Sequence, residues 1–380
     1  MTTDEVQPVR IAMDLTALAG PVTGIGQMVR QLARRLPEHD DLDLTGLFVS
    51  WRGRAQLAQV APDGWRLQPL LLPARLAHRA WLRFDRPRVR GFDLVHGPNY
   101  VVPPTAGAAR LVTVHDLTAW RYPELVDQHA RSFPAQVARA VDAGAHVHAV
   151  SEHVGQELEH ELGFDADRIH VVANGLEPVP GGDGARGRAR IGAPYVLAVG
   201  TIEPRKDHAS LVRAMAAIWP VLPDLRLVIA GARGWGRSEF DDVVGELGVA
   251  DKIDVLGYVD EATKADLLHG AEVLAYPSRY EGFGIPILEA MAAGVPVVTT
   301  TAGAIPEVAG RAAILVEPED PSALAGALLS VLEDDDLRRH LASAGRERAK
   351  AFSWTESVAR LAALYRQLVD GQVPAVESVG

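Results

Sequence analysis

The chain is predicted to be an α/β protein built of two Rossmann-like, doubly wound domains that face each other across a cleft, and three observations lead there. Its 380 residues are too many for one ordinary core and suit two domains. Apolar runs of strand length alternate with amphipathic runs of helix length, the pattern of βαβ units on a parallel sheet. Midway, the stretch "EPVPGGDGARGRARIGAP" is rich in Gly and Pro with little to bury and reads as a linker.

The strand candidates of the first half, in order, are "VRIAMDL", "LDLTGLFVS", "FDLVHG", "LVTVHD", "HVHAVS" and "RIHVVANG". Those of the second are "YVLAVG", "LRLVIAG", "IDVLGY", "EVLAYPS", "VPVVTT" and "AAILVE". Each set is large enough for a doubly wound sheet of its own. Helices follow near Pro321–Leu332, Asp335–Ala351 and Thr355–Asp370, and the last ten residues read as frayed. The expected domains are 1–178 and 194–352, joined by a linker at 179–193, with 353–380 packing back on the first domain. No short-period repeat or low-complexity tract occurs; the halves are alike in architecture, not in sequence.

Composition is that of an average globular protein, 48% hydrophobic and 23% charged. A formal net charge of −11 argues against a protein devoted to gripping nucleic acid, which needs clustered positive charge. Against that background "WRGRAQ" and "RLAHRAWLRFDRPRVR", Arg75 to Arg90, form a basic, aromatic stretch. A solvated helix and loop is the plainer reading, a surface for anionic lipid headgroups or an anionic acceptor the sharper one. The absence of cysteine excludes disulfides, thiolate metal sites and a cysteine nucleophile. The acidic start "MTTDEVQPVRIAMDL" lacks a basic n-region, and no apolar run approaches the ~20 residues of a membrane span. A cytoplasmic protein, at most peripheral at the inner face of a membrane, is expected.

Ligand crevices of open α/β sheets lie beyond the strand C-termini, so polar residues that follow strands are the candidates for chemistry. His115 and Asp116 end "LVTVHD"; alone they read as a loop cap and an N-cap. In "GPVTGIGQMVRQL", between the first strand and its helix, Gly24 and Gly26 would let the backbone approach an anion at the helix N-terminus. As a dinucleotide fingerprint it is incomplete, because the third Gly is missing. In "YVLAVGTIEPRKDHASLVRAM" the strand ends at Gly200, and Arg205 and Lys206 precede a helix that Asp207 can cap. Two cations at a helix N-terminus oppose the macrodipole unless an anion lies between them.

The segment "RYEGFGIPILEAMAAGVPVVT" places Glu281 in a strand-end loop and Glu289 eight residues on, in a helix that ends at Gly294. Among such apolar neighbours a carboxylate needs partners. Arg279 is the only nearby cation, which leaves a ligand as the candidate partner. A nucleotide sugar suits the arrangement, with its diphosphate on the helix N-terminus, its sugar hydroxyls on Glu281 and its ribose hydroxyls on Glu289; the plainer reading, two acids on an exposed helix start where the dipole favours them, suits Glu281 better than Glu289.

Taken with "VGTIEPRKD", "VIAGARGWG", "TVHDL" and "VSEHVGQEL…VVANGLEP", the E-x7-E block "EGFGIPILEAMAAGVPVV" resembles the family 4 glycosyltransferases, retaining enzymes of the GT-B fold. The matches run in order from about residue 9 to 370. The subgroup resembled most carries "GTxEPRKN" and "GxxGW" and is often mannosyltransferases of bacterial polysaccharide or glycolipid synthesis. The resemblance implies that Arg205 and Lys206 hold the donor diphosphate, Glu281 the donor sugar and Glu289 the ribose. Phe283, Gly284 and Ile285 would supply the loop over the phosphates. It implies too that His115 contacts the sugar near the reacting centre, that Gly24 and Gly26 form the loop facing the donor, and that Val259 and Lys264 of "GYVDEATKADLL" lie beside the nucleobase. One departure stands out: many members carry Arg directly after the strand-ending Gly, where this chain has Thr201.

The function so implied is retaining transfer of a hexose, mannose from GDP-mannose being one instance, to a glycan, glycolipid or small-molecule acceptor. No resident cofactor and no metal are expected; the D-x-D spelling in "EDDDLRRH" lies at a helix start, where acids suit the dipole. A sugar-nucleotide epimerase on the same fold and a non-catalytic sugar-nucleotide-binding protein are the alternatives, and an NAD-dependent oxidoreductase is disfavoured by the incomplete Gly pattern.

Overall fold

The computed structural model describes residues 7–19, 24–49, 62–70, 73–126, 128–177, 181–234 and 239–371. The chain divides into two compact units, residues 1–175 with 353–380, and residues 176–352.

The first unit is a seven-stranded sheet made from β1 (Val9–Asp14), β2 (Leu42–Phe48), β3 (Arg66–Pro69), β4 (Leu94–Gly97), β5 (Ala109–Val114), β6 (His146–Ala149) and β7 (Ile169–Val171). All neighbours are parallel and the order is β3-β2-β1-β4-β5-β6-β7. Six strands lie on the expected apolar runs. The seventh, β3, was not expected: "RLQP" alternates between exposed and half-buried positions, as an edge strand with one partner can. The helix Trp354–Asp370 belongs to this unit and buries Leu361, Ala362 and Tyr365 completely.

In the second unit β8 (Tyr195–Val199), β9 (Arg226–Ala230), β10 (Ile253–Gly257), β11 (Val273–Tyr276), β12 (Val297–Thr300) and β13 (Ile314–Val316) form a parallel sheet ordered β10-β9-β8-β11-β12-β13. The fully buried Val196, Leu211, Met215, Ile229 and Leu328 show how helices close over its central strands. Strand order reverses between β8 and β11, so the loops that follow these two strands flank the crevice of this sheet.

The linker expected at 179–193 is corrected in part. Residues 178–180 lie outside the described residues, but Gly184–Ile191 is a helix, capped by Asp183 through the amides of Ala185 and Arg186. It packs on the helix Glu261–Gly270 so closely that a Cβ on Gly187 would lie 2.1 Å from the Asp266 carbonyl oxygen. Gly182, Gly184 and Gly187, which suggested a flexible joint, are small because the chain packs on that helix there. Residues 176–193 accordingly belong to the second unit.

Candidate functional site

In the second unit β8 leads into Gly200, whose φ of +145° favours glycine, and the stem of Lys206 runs 3.5 Å from where its Cβ would be. One 3-10 turn, Pro204–Lys206, follows. Asp207, at a φ of +50°, then caps the helix His208–Ile218 by accepting from the Ser210 amide at 3.3 Å. From β11 the chain runs through Arg279, Tyr280 and Glu281 to Gly284.

These two loops brace each other. Glu281 is 7% exposed, with Oε1 2.6 Å from Lys206 Nζ and Oε2 2.8 Å from an Arg205 guanidinium nitrogen. Arg205 also pairs with Glu203 at 2.8 Å and donates to the Tyr280 carbonyl at 3.0 Å, while the Arg279 amide donates to the Arg205 carbonyl at 2.8 Å. Lys206 reaches the Tyr276 hydroxyl at 2.5 Å and lies 4.6 Å from that ring's centre. The ligand expected to partner Glu281 is therefore not required for its burial; the partners are cations 75 and 76 positions upstream in the sequence. The anion expected between Arg205 and Lys206 is Glu281 itself.

Arg279, the cation nearest in sequence, goes elsewhere. It lies 3.1 Å from the fully buried Asp207 carboxylate, 3.3 Å from Glu239 and 3.2 Å from Glu319. Burial pushes the Glu281 carboxyl up, but Arg205 and Lys206 outweigh it and hold the group down to about 2. Burial also lowers Lys206, against the pull of Glu281, and raises Tyr276 well above an ordinary phenol. Two cations and two carboxylates, Glu203 and Glu281, cancel formally at this point of the crevice. Gly303 completes the support: the Ala304 amide donates to the Glu281 carbonyl at 2.8 Å, and a Cβ on Gly303 would lie 2.2 Å from that oxygen. Glu203, Tyr276 and Gly303 escaped the sequence reading; only the position of Glu203 within "EPRKD" could have marked it.

The helix Ile285–Ala293 starts beside this cluster. Gly284 caps it at a φ of +109° without a side-chain acceptor, Pro286 stands in its first turn, and the amides of Phe283, Gly284 and Ile285 meet no acceptor among the described residues. The ring of Phe283 is buried edge-on against Phe352. One turn along, Glu289 lies 2.7 Å from Lys264, which also pairs with Glu261 at 2.9 Å. Burial raises the Glu289 carboxyl, and Lys264 offsets part of the rise. Val259 is half-buried in the loop between β10 and the helix Glu261–Gly270, whose cap is Asp260. Thr201, at the position of the departure, leads into a short bridge between Ile202 and Arg233.

Within the first unit His115 follows β5. Its Nε2–H donates to the Pro98 carbonyl at 2.8 Å, which leaves Nδ1 as the lone-pair nitrogen, and burial lowers its basicity. Tyr100, at a φ of +57°, accepts from the Asp116 amide at 2.9 Å and stacks on Phe133 at 4.6 Å. Asp116 accepts from the Thr118 amide at 2.9 Å, but the N-cap of the helix Thr118–Arg121 is Leu117, without a side-chain acceptor, so the capping expected of Asp116 is corrected. Gly24 and Gly26 are not loop residues: both lie in the first turn of the helix Gly24–Arg35, and 20–23 lie outside the described residues. A Cβ on Gly24 would meet nothing within 4 Å among the described residues, so no close approach among them requires glycine there. Far along the chain Asp334 caps the helix Asp335–Ala349, and Asp335 and Asp336 pair with Arg338 and Arg339, which accounts for the D-x-D spelling.

The chain matches the family described as Glycosyl transferases group 1 over residues 186–348 and Glycosyltransferase Family 4 over residues 22–179. It is 31% identical to O-antigen chain mannosyltransferase B of Escherichia coli, covering 92% of this chain and 97% of that protein. In fold it is similar to a sucrose-phosphate synthase from Thermosynechococcus elongatus, with a TM-score of 0.76, 24% identity and 96% and 100% of the two chains covered. It is also similar to Anabaena HepE in complex with UDP and glucose, with a TM-score of 0.71, 19% identity and coverage of 95% and 100%. Two matching family regions in order along the chain, and a relative that aligns over nearly its whole length, agree with the two doubly wound sheets: the chain belongs to the family 4 glycosyltransferases and is an enzyme of the GT-B fold.

Proposed function

We propose that this glycosyltransferase moves a hexose from a nucleoside-diphosphate sugar to a glycan, glycolipid or small-molecule acceptor with retention at the anomeric carbon, and that GDP-mannose is its donor. The observation that carries the proposal is the start of the helix Ile285–Ala293, where unpartnered amides at 283–285 adjoin Arg205 and Lys206 at the point of strand reversal. The likeness to a mannosyltransferase at 31% identity supports mannose, and a neighbour of the same fold bound to UDP and glucose supports a nucleotide sugar.

In this reading the diphosphate lies on the amides of 283–285, and Arg205 and Lys206 stabilise it as the bond to the anomeric carbon breaks. Because these cations are already matched by Glu203 and Glu281, the diphosphate gains most from the helix start and from cations that turn from Glu281 toward it. Glu281, partly released, accepts from donor sugar hydroxyls. Glu289, with Lys264, takes the ribose, and Val259 borders the base. His115 offers Nδ1 to the sugar, the role the resemblance implies, and the same-face attack that retention requires falls to the acceptor hydroxyl. No metal takes part, so activity is expected to survive EDTA.

A thermal-shift panel of GDP-, UDP-, dTDP- and ADP-sugars tests the donor, since a ligand at 100 times its Kd adds ~2.7 kcal/mol of stability. Stabilisation by GDP-mannose and an axial anomeric product from its axial donor are expected. Stabilisation by another donor alone would overturn the choice of mannose, and an inverted product the choice of retention. Turnover of nucleotide sugar without acceptor would point to an epimerase. Calorimetry with free nucleoside diphosphate separates the glutamates: Glu289→Gln weakens it by ~1–3 kcal/mol, whereas Glu281→Gln leaves it nearly unchanged while transfer collapses.

A further inference from the structure

The basic stretch that the donor site leaves unused forms one face of the first unit. The helix Ala74–Phe84 turns Ala77 and Trp81, 0% and 1% exposed, onto Val49, Val101, Leu70 and Phe133. That anchoring fixes which side chains look outward. Leu76, Leu82 and Phe84 are 54%, 38% and 65% exposed, three of the six exposed large hydrophobics among the described residues, and they fall within nine positions. The other three, Val221, Leu247 and Tyr258, belong to the second unit and are scattered along it.

Arginines are interleaved with these apolar groups. Six occur between positions 75 and 90 against one aspartate, in a chain of formal charge −11. Asp85 is taken up by Arg88 and Arg139, each at 2.9 Å. Arg79, Arg86 and Arg90 are exposed and have no carboxylate partner among the described residues, and Arg83 lies 5.7 Å from the centre of the Phe84 ring. Along the helix Leu76, Arg79 and Arg83 recur at spacings of three and four, so cations and apolar groups share one outward stripe.

We propose that this face docks the enzyme on a bilayer rich in anionic lipid: Leu82 and Phe84 enter the headgroup boundary, Leu76 lies beside them, and Arg79, Arg83, Arg86 and Arg90 bind headgroup phosphates. The pairing of apolar and cationic groups chooses this partner. Free phosphate or an acidic polymer has no use for an exposed Phe and Leu, and an apolar protein partner has no use for unpaired arginines. Long arginine stems lie along the apolar layer while their guanidinium groups stay at phosphate level. No helix among the described residues is long and apolar enough to cross a membrane, so such attachment would be superficial.

Co-sedimentation of the full chain with phosphatidylcholine vesicles, with and without phosphatidylglycerol, is the test. Wild type is expected to bind the anionic vesicles at least tenfold more tightly, with the advantage falling as salt rises. Replacing Arg79, Arg86 and Arg90 together by Gln lowers that binding about a hundredfold, roughly fivefold per arginine. Leu82→Ser with Phe84→Ser lowers it about tenfold or more at every salt concentration, and Val221→Ser leaves it unchanged. All these side chains are exposed, and unchanged affinity for nucleoside diphosphate verifies that each variant is folded. Equal binding to neutral and anionic vesicles, or none to either, overturns the proposal. So does full binding by the Leu82 and Phe84 variant, which would make the face an electrostatic surface for soluble polyanions.

Discussion

The two units share a strand order up to their sixth strands, yet their main buried polar networks differ. In the first unit a chain of neutral groups lies within the sheet, while its buried Glu157 pairs with Arg121 on the helices. His148 Nε2–H must donate to the Val172 carbonyl at 2.9 Å, so its Nδ1 accepts from Thr113 at 3.0 Å. Thr113 in turn accepts from His96 Nε2–H at 2.8 Å, and His96 Nδ1 accepts from the Tyr365 hydroxyl at 2.7 Å. One carbonyl thus orients every proton across β6, β5 and β4 to the helix Trp354–Asp370. In the second unit the groups are charged and lie beyond the strand ends, in the loops that hold Arg205, Lys206 and Asp207 against Arg279 and Glu281. Polar groups inside a sheet bind the fold together, whereas charges at strand ends stand where open α/β sheets bind their ligands.

Removing a charge should be the most damaging break. Glu281→Ala leaves Arg205 and Lys206 without the carboxylate they share and is expected to cost the second unit ~3–5 kcal/mol. Hydrogen exchange of β8 and β11 amides reads that loss. A loss under ~1 kcal/mol would show that the cluster is as wet as a surface pair.

Acid should separate the units next. Burial lowers His148 and His170 from 6.5 to about 4, and His96 well below 6.5. The unfolded chain takes up these protons first, so the stability that neutral histidines contribute is complete above pH 6.5 and is lost as pH falls toward 4. For His148 alone the loss by pH 5 is about 2 kcal/mol. The second unit has one such histidine, His208, lowered by burial to about 3. Its Glu281 works in a lower window, contributing fully above 4.5 and losing that contribution toward 2. The opening constants of protected amides, taken from exchange rates corrected for their intrinsic pH dependence, are therefore expected to rise more in the first unit between pH 7 and pH 5.

Smaller effects sharpen the contrast on neighbouring residues of one helix. Tyr365→Phe deprives His96 Nδ1 of its donor and should cost ~1–2 kcal/mol by denaturant melts. Arg366→Gln removes an ion pair to Asp41 whose partners are 32% and 47% exposed, and should cost under ~1 kcal/mol. Equal effects would mean that the buried chain has no more weight than a surface pair.

The sequence by itself determined the two α/β halves, twelve of the thirteen strands and the loops that carry Arg205, Lys206, Glu281 and Glu289, because periodicity and strand-end position are local properties of a few consecutive residues. Its limits were local too. Arg66–Pro69 carries no apolar run because an edge strand needs none, and Gly184–Ile191 resembled a joint because small residues serve both flexible chain and close helix contact. Only the tertiary structure decided which charges meet. Glu281 pairs with Arg205 and Lys206, while Arg279, two residues from it in the chain, turns to Asp207. Tyr365 meets His96 across 269 positions. These partners are set by β11 lying beside β8, and by a last helix that returns to the first sheet, and strand order is decided by how whole surfaces pack, which no short stretch of sequence records.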